Sequence, residues 1–255
     1  MNITILGSGN VATHLGKAFL KDGHRIQQVY SRNLANAQAL ALLLDATATD
    51  SVAMIQTDAD LYLLAVSDQA IGSLAAELPR TLRGIVVHCS GANSMDLLAR
   101  FPHYGVIYPP QSLRKEKDST LSDIPFGVEG YPLATENLLL RVMQKIAPRS
   151  FPCNSQQRLA LHVAAVFANN FTNSLFQISY ELLQAQALPF DLLHPIMLET
   201  VQKAMQHEPS SIQTGPAQRG DKLTIEKHLQ FISEMPNWVK IYQQLTEEIS
   251  SKKGK

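Results

Sequence analysis

The chain has 255 residues, with 22 Lys and Arg against 22 Asp and Glu, so its formal charge is zero and no bulk positive field exists to hold a nucleic-acid backbone. With 45% hydrophobic and 17% charged residues it is neither disordered nor fibrous, and its length suits one large domain or two small ones. Its two cysteines, Cys89 and Cys153, are far apart and outside any CxxC spacing, which argues against a disulfide framework or a zinc cluster and fits a reducing cytoplasm.

The first apolar run, Ile3 to Leu6, lacks the basic flank and cleavage site of a secretory signal and reads as a strand. Further strand-like runs follow at Ile26 to Tyr30, Leu61 to Val66, Ile85 to His88, Val106 to Tyr108 and Phe126 to Glu129. Amphipathic segments at Val11 to Leu20, Ala35 to Leu44 and Ile71 to Leu78 alternate with the earlier runs. That alternation predicts an α/β Rossmann-type parallel sheet, covered on both faces, over residues 1–153.

After Pro152 the strand signals cease. Helical patterns at Gln156 to Ala187, Phe190 to Gln206, Thr224 to Met235 and Asn237 to Ser250 predict an all-helical domain over residues 154–255. Pro189 and Pro195 bracket one helix start, a loop runs from Glu208 to Pro216, and the Lys-rich end beyond Ser250 reads as a solvated tail. The uncharged stretch Leu159 to Tyr180 carries His162, Asn169, Asn170, Asn173 and Gln177, polar groups too costly for hydrocarbon, so it reads as a buried helix and not a membrane span.

Directly after the first strand stands Gly7-Ser8-Gly9-Asn10-Val11-Ala12, a GxGxxA form of the dinucleotide fingerprint opening a helix. Gly7 permits the tight turn, Gly9 lets the backbone approach a pyrophosphate, and Ala12 lets helix and strand pack closely. At the end of the second strand, where an acidic side chain would hold the ribose hydroxyls of NAD, the chain has Ser31-Arg32-Asn33. An Arg and a hydroxyl suit a 2′-phosphate, so NADP(H) is expected over NAD(H). Val66, Ser67 and Ser90, at neighbouring strand ends, are expected beside the same cofactor, with Asp68 or Ser67 capping the next helix.

These residues, with His88-Cys89-Ser90-Gly91-Ala92, Tyr108-Pro109-Pro110-Gln111-Ser112 and, most specific, Thr214-Gly215-Pro216-Ala217-Gln218-Arg219-Gly220-Asp221, carry a family resemblance. The chain resembles the bacterial Rossmann-like NADP oxidoreductases whose helical second domain has no assigned function, within the superfamily of 6-phosphogluconate dehydrogenase-like C-terminal domains. The resemblance implies a homodimer through the helical domains and an active-site cleft between domains; it supplies no substrate. Where that family carries a His before the Pro-Gln segment, this chain has Tyr108. Related β-hydroxyacid dehydrogenases place a Lys on the first long helix of the second domain, but no Lys lies between Lys145 and Lys203 here, which disfavours lysine-driven alcohol oxidation.

The candidate catalytic groups are therefore His88 and Tyr108 as proton donors, with Asn170 on the opposite wall of a pocket it shares with His88. Asn169 and Arg219 are candidate substrate contacts, and Asp221 reads as the N-cap of the helix that follows it. His162, Asn169 and Asn173, spaced by 7 and 11, would share a helix face. No HExxH or HxxxH pair and no close cysteine pair exists, so no metal is expected. The expected function is transfer of a hydride between NADP(H) and a small carbonyl, hydroxyl or imine compound; the alternative is an NADP(H)-binding sensor or scaffold without chemistry.

Overall fold

The computed structural model describes residues 1–113 and 121–252. The chain folds as two compact units, Met1–Asn169 and Asn170–Lys255. The first is built on an eight-stranded sheet of order β3-β2-β1-β4-β5-β6-β7-β8. Its strands are β1 (Asn2–Leu6), β2 (Arg25–Tyr30), β3 (Thr47–Thr49), β4 (Leu61–Leu64), β5 (Ile85–His88), β6 (Tyr104–Tyr108), β7 (Gly127–Tyr131) and β8 (Phe151–Pro152). All neighbours are parallel except β6 and β7.

Period-two alternation gives the sheet two cores. Leu61, Leu63, Ile85 and Val87 face a cluster with α1 (Asn10–Lys21), α2 (Leu34–Leu43) and α4 (Leu133–Ile146). Tyr62, Leu64 and Val86 face a second cluster with α3 (Asp68–Glu77) and the 3-10 turn Met95–Leu98. A sheet buried on both faces reads as continuous apolar runs, which is why its central strands were recognisable.

The expectation of one long helix from Gln156 to Ala187 is corrected. It is broken into α5 (Ser155–Ala165), a π-helical stretch Val166–Phe171 and α6 (Thr172–Ala185). Asn154 opens α5 with a capping box, its side chain accepting from Gln157 N at 2.9 Å while the Gln157 side chain accepts from Asn154 N at 3.0 Å. The wider π turn means that Asn169 no longer falls under His162 as regular helical spacing would have it.

Within the second unit, α6 is followed by α7 (His194–Gln206), the short α8 (Pro216–Arg219), α9 (Lys222–Phe231) and α10 (Pro236–Ser251). Asp221 caps α9, its carboxylate accepting from Thr224 N at 3.1 Å, as expected. Gly220, with φ of 73°, ends α8 in the left-handed region. Among the described residues no helix is long and apolar enough to cross a membrane.

Candidate active site

The turn between β1 and α1 is fixed by one glycine and opened by another. Gly7 has φ of +124°, and a Cβ there would lie 2.1 Å from the carbonyl oxygen of Ala65, so only glycine fits. Gly9 has ordinary extended backbone, φ −79° and ψ −170°, and a Cβ there would meet no atom of the described residues within 4 Å. Nothing among the described residues requires Gly9 to be bare. It lines a cavity of about 600 Å³, and leaving it without a side chain keeps its backbone open to a ligand.

The first intrahelical bond of α1 runs from Thr13 N to Gly9 O, so the amides of Asn10, Val11 and Ala12 have no intrahelical acceptor. That turn carries no acidic residue. Free amides at the positive end of a helix dipole form a site for an anion such as a pyrophosphate. Gly7, Ser8, Ser31, Arg32, Val66 and Ser67 line the same cavity. The Ser8 hydroxyl donates to Ser31 Oγ at 3.1 Å, tying the turn to the end of β2, and Asn33 caps α2 by accepting from Asn36 N. Arg32 is exposed on this wall and has no ion-pair partner among the described residues. Bare Gly9, free helix amides and unpaired Arg32 together fit a phosphorylated dinucleotide.

At the ends of β5 and β6 the arrangement differs from expectation. The fully buried His88 is engaged at both ring nitrogens: Nδ1 accepts from Ser90 N at 3.1 Å, and Nε2 lies 3.2 Å from the carbonyl oxygen of Ser94. These partners fix the neutral Nε2–H tautomer. Desolvation pushes its pKa down to about 4. His88 therefore braces the turn after β5, which corrects its assignment as a proton donor facing a pocket. Ser90 is buried too, its Oγ accepting from Ala92 N and Asn93 N, so its side chain is spent on the same turn.

The pair of polar rings at this sheet edge is formed by Tyr108 and a residue given no catalytic role from sequence. The Tyr108 hydroxyl is hydrogen-bonded to Nδ1 of His162 at 3.0 Å, with the rings edge to face. Tyr108 is buried and His162 half-buried. Desolvation pushes the Tyr108 phenol above its ordinary pKa, so it stays protonated at neutral pH.

The helix that carries His162, α5, is anchored by Arg158, one turn earlier. Arg158 is buried, donating from Nε to Ser90 O at 3.1 Å and from Nη2 to Asn93 O at 2.6 Å, while Nη1 pairs with Glu129 of β7. Glu129 also accepts from Ser155 N and its hydroxyl. The loop after β6 is tied at two points: Asn10 Nδ2 donates to Leu113 O at 2.7 Å, and Asn169 Nδ2 donates to Ser112 Oγ at 2.9 Å. Asn169 is thus occupied in holding this loop. Asn170 and, at the end of α8, Arg219 are exposed.

Comparisons with known proteins bear on this geometry. Residues 2–90 match the family described as NADP oxidoreductase, coenzyme F420-dependent, and residues 124–249 match a domain of unknown function, DUF2520. The protein BF3122 from Bacteroides fragilis, which carries the provisional designation NADP oxidoreductase, is 34% identical over 98% of both chains, with a TM-score of 0.86. The chain belongs to this NADP oxidoreductase family. Members of a wider set share the fold alone. A reductive aminase from Aspergillus terreus, in complex with NADPH and ethyl-5-oxohexanoate, matches with a TM-score of 0.76 at 15% identity, over 99% of this chain and 98% of that one. An imine reductase from Myxococcus stipitatus, in complex with NADP+, matches with a TM-score of 0.68 at 18% identity, over 98% of this chain and 92% of that one. No curated protein sequence matches this family member.

Proposed function

We propose that the chain is an NADP(H)-dependent oxidoreductase acting on a small carbonyl, hydroxyl or imine compound, with His162 and Tyr108 handling the proton. The observation that carries the cofactor reading is the bare Gly9 in one cavity with Arg32: among the described residues, nothing crowds the glycine and no carboxylate pairs with the cation. Gly7 to Val11 would hold the pyrophosphate, and Ser31 and Arg32 the 2′-phosphate. When bound, NADPH supplies a hydride to an electrophilic carbon.

The heteroatom on that carbon then needs a proton. The half-buried imidazole of His162 is placed to deliver it, while the buried phenol of Tyr108 fixes the ring plane through Nδ1. Parallel β4, β5 and β6 end at one edge of the sheet, which supports putting the Tyr108 pair and the Val66-Ser67 wall on the ligand side. The imine and amine chemistry named for the two complexed relatives suggests imines and carbonyl–amine mixtures as the first substrates to try.

The second unit supports a homodimer. Among its described residues only Ala217 and Ile232 are buried hydrophobics, whereas Phe171, Leu192, Ile196, Val201 and Phe231 are among those exposed. So much exposed apolar surface on one helical unit favours a second copy as its cover. The two free cysteines fit a reducing cytoplasm.

The test is calorimetric titration with NADPH and NADH, then NADPH consumption against cyclic imines, keto acids and keto acids with amines. Tighter NADPH binding with consumption supports the reading. Binding without consumption favours a sensor, and equal affinity for the two dinucleotides would contradict the role of Arg32.

A further inference from the structure

This inference rests on the cofactor reading above. With the pyrophosphate at α1 and the 2′-phosphate at Ser31 and Arg32, covalent connectivity leaves the α3 wall of the cavity for the base. From α3, Ala70, Ser73, Leu74 and Glu77 line that wall. Their spacing places them on one helix face. Ala70 and Leu74 offer apolar surface to a flat ring, and Ser73 and Glu77 add polar groups. The Ser73 hydroxyl proton is already given to Ala70 O at 3.2 Å, so what remains to the cavity is its lone pairs. Glu77, as a carboxylate, also only accepts.

Glu77 is unfavourable by each local criterion. It is the last residue of α3, where the helix dipole disfavours negative charge. It has no ion-pair partner among the described residues, although Arg32 lines the same cavity. A carboxylate in a cavity otherwise suited to phosphates weakens anion binding unless it meets a donor on the ligand. The base end of an adenine dinucleotide carries such a donor, the exocyclic 6-amino group.

We infer that Glu77, assisted by Ser73, reads the 6-amino group of the adenine and makes the site selective for adenine over 6-oxopurine dinucleotides. A 6-oxopurine turns that donor into an acceptor facing acceptors, which sets lone pairs against lone pairs.

The test is calorimetric titration of the full chain with NADPH and with its hypoxanthine counterpart, in wild type and in Glu77→Gln. Wild type is expected to bind NADPH about tenfold more tightly, the value of one charge-assisted hydrogen bond. In Glu77→Gln the amide can donate to a 6-oxo group as readily as it accepts from an amine, so the two affinities converge. Glu77 is exposed, so the variant retains the fold, which circular dichroism checks. Equal wild-type affinities, or an unchanged ratio in Glu77→Gln, would overturn this assignment while leaving NADPH binding intact. Failure of wild type to bind either dinucleotide would overturn the cofactor reading and this inference with it.

Discussion

The hydroxyl of Tyr108 and Nδ1 of His162 meet at 3.0 Å across 54 residues of sequence, and Gly91 is pressed against both rings. A Cβ on Gly91 would lie 2.7 Å from His162 Cγ and 2.8 Å from Tyr108 Cε2, closer than side chains pack. The pair is therefore built by three segments at once: the end of β6, the turn after β5 and α5.

Removing the phenol alone tests its role. Tyr108→Phe keeps the ring and its packing but removes the phenol that orients the His162 ring, so turnover should fall by roughly 10- to 100-fold as the proton donor loses its alignment. NADPH affinity should stay as in wild type, because the phenol is not among the groups assigned to the phosphates. Calorimetry beside steady-state rates separates the two effects, and equal losses in binding and rate would show a merely structural contact.

The two fingerprint glycines should respond oppositely to alanine. Gly7→Ala forces a side chain into the Ala65 carbonyl at positive φ, so both stability and binding should collapse. Gly9→Ala meets no atom of the described residues within 4 Å. Its unfolding free energy should change by no more than about 1 kcal/mol while NADPH binding is lost. Urea unfolding and calorimetry on both variants check this, and a Gly9→Ala protein that binds normally would mean the cradle is not where the pyrophosphate sits.

The burial of His88 makes stability depend on pH. Its folded pKa, about 4, lies below the ordinary 6.5, so between those values the unfolded chain binds the extra proton. The contribution is fully present above about pH 6.5, falls as the pH drops through that window, and levels off below about pH 4, with a total near 3 kcal/mol. Urea unfolding at several pH values should show this slope in wild type and a flatter one in His88→Asn. Identical slopes would mean that His88 is not held neutral.

The buried ion pair should behave asymmetrically. Arg158→Met strands the Glu129 carboxylate and leaves Ser90 O and Asn93 O without their donor, costing about 3–5 kcal/mol. Arg158→Met with Glu129→Leu should cost less than the sum of the two single changes. Chemical denaturation of the three variants measures this, and strict additivity would show that the two side chains do not act as a pair.

How much of this was legible in the sequence follows from burial. The central strands carry long apolar runs because both faces are covered, and the cavity residues Gly7 to Gly9, Ser31, Arg32, Val66 and Ser67 follow from one motif and two strand ends. The edge strands Thr47–Thr49 and Phe151–Pro152 are too short to leave a pattern, and α4, unlike α1 to α3, was not among the expected helices. Arg158 lies in Ser155-Gln156-Gln157-Arg158, which reads as a solvated helix start; only the fold brings Glu129 to it. His162 had a sequence signal, an ionisable group on an apolar helix, but its partner Tyr108 is remote in the chain. His88 shows the converse, a well-placed residue whose nitrogens are taken by backbone groups that no sequence pattern reveals.

The measurement that bears most directly on the proposed function is NADPH consumption, followed by absorbance, with cyclic imines, keto acids and keto acids with amines as substrates. Wild type should consume NADPH with at least one of them and use NADH less well, and Tyr108→Phe should bind NADPH but turn over far more slowly. Tight NADPH binding with no consumption across the panel, or a Tyr108→Phe protein as active as wild type, would contradict it.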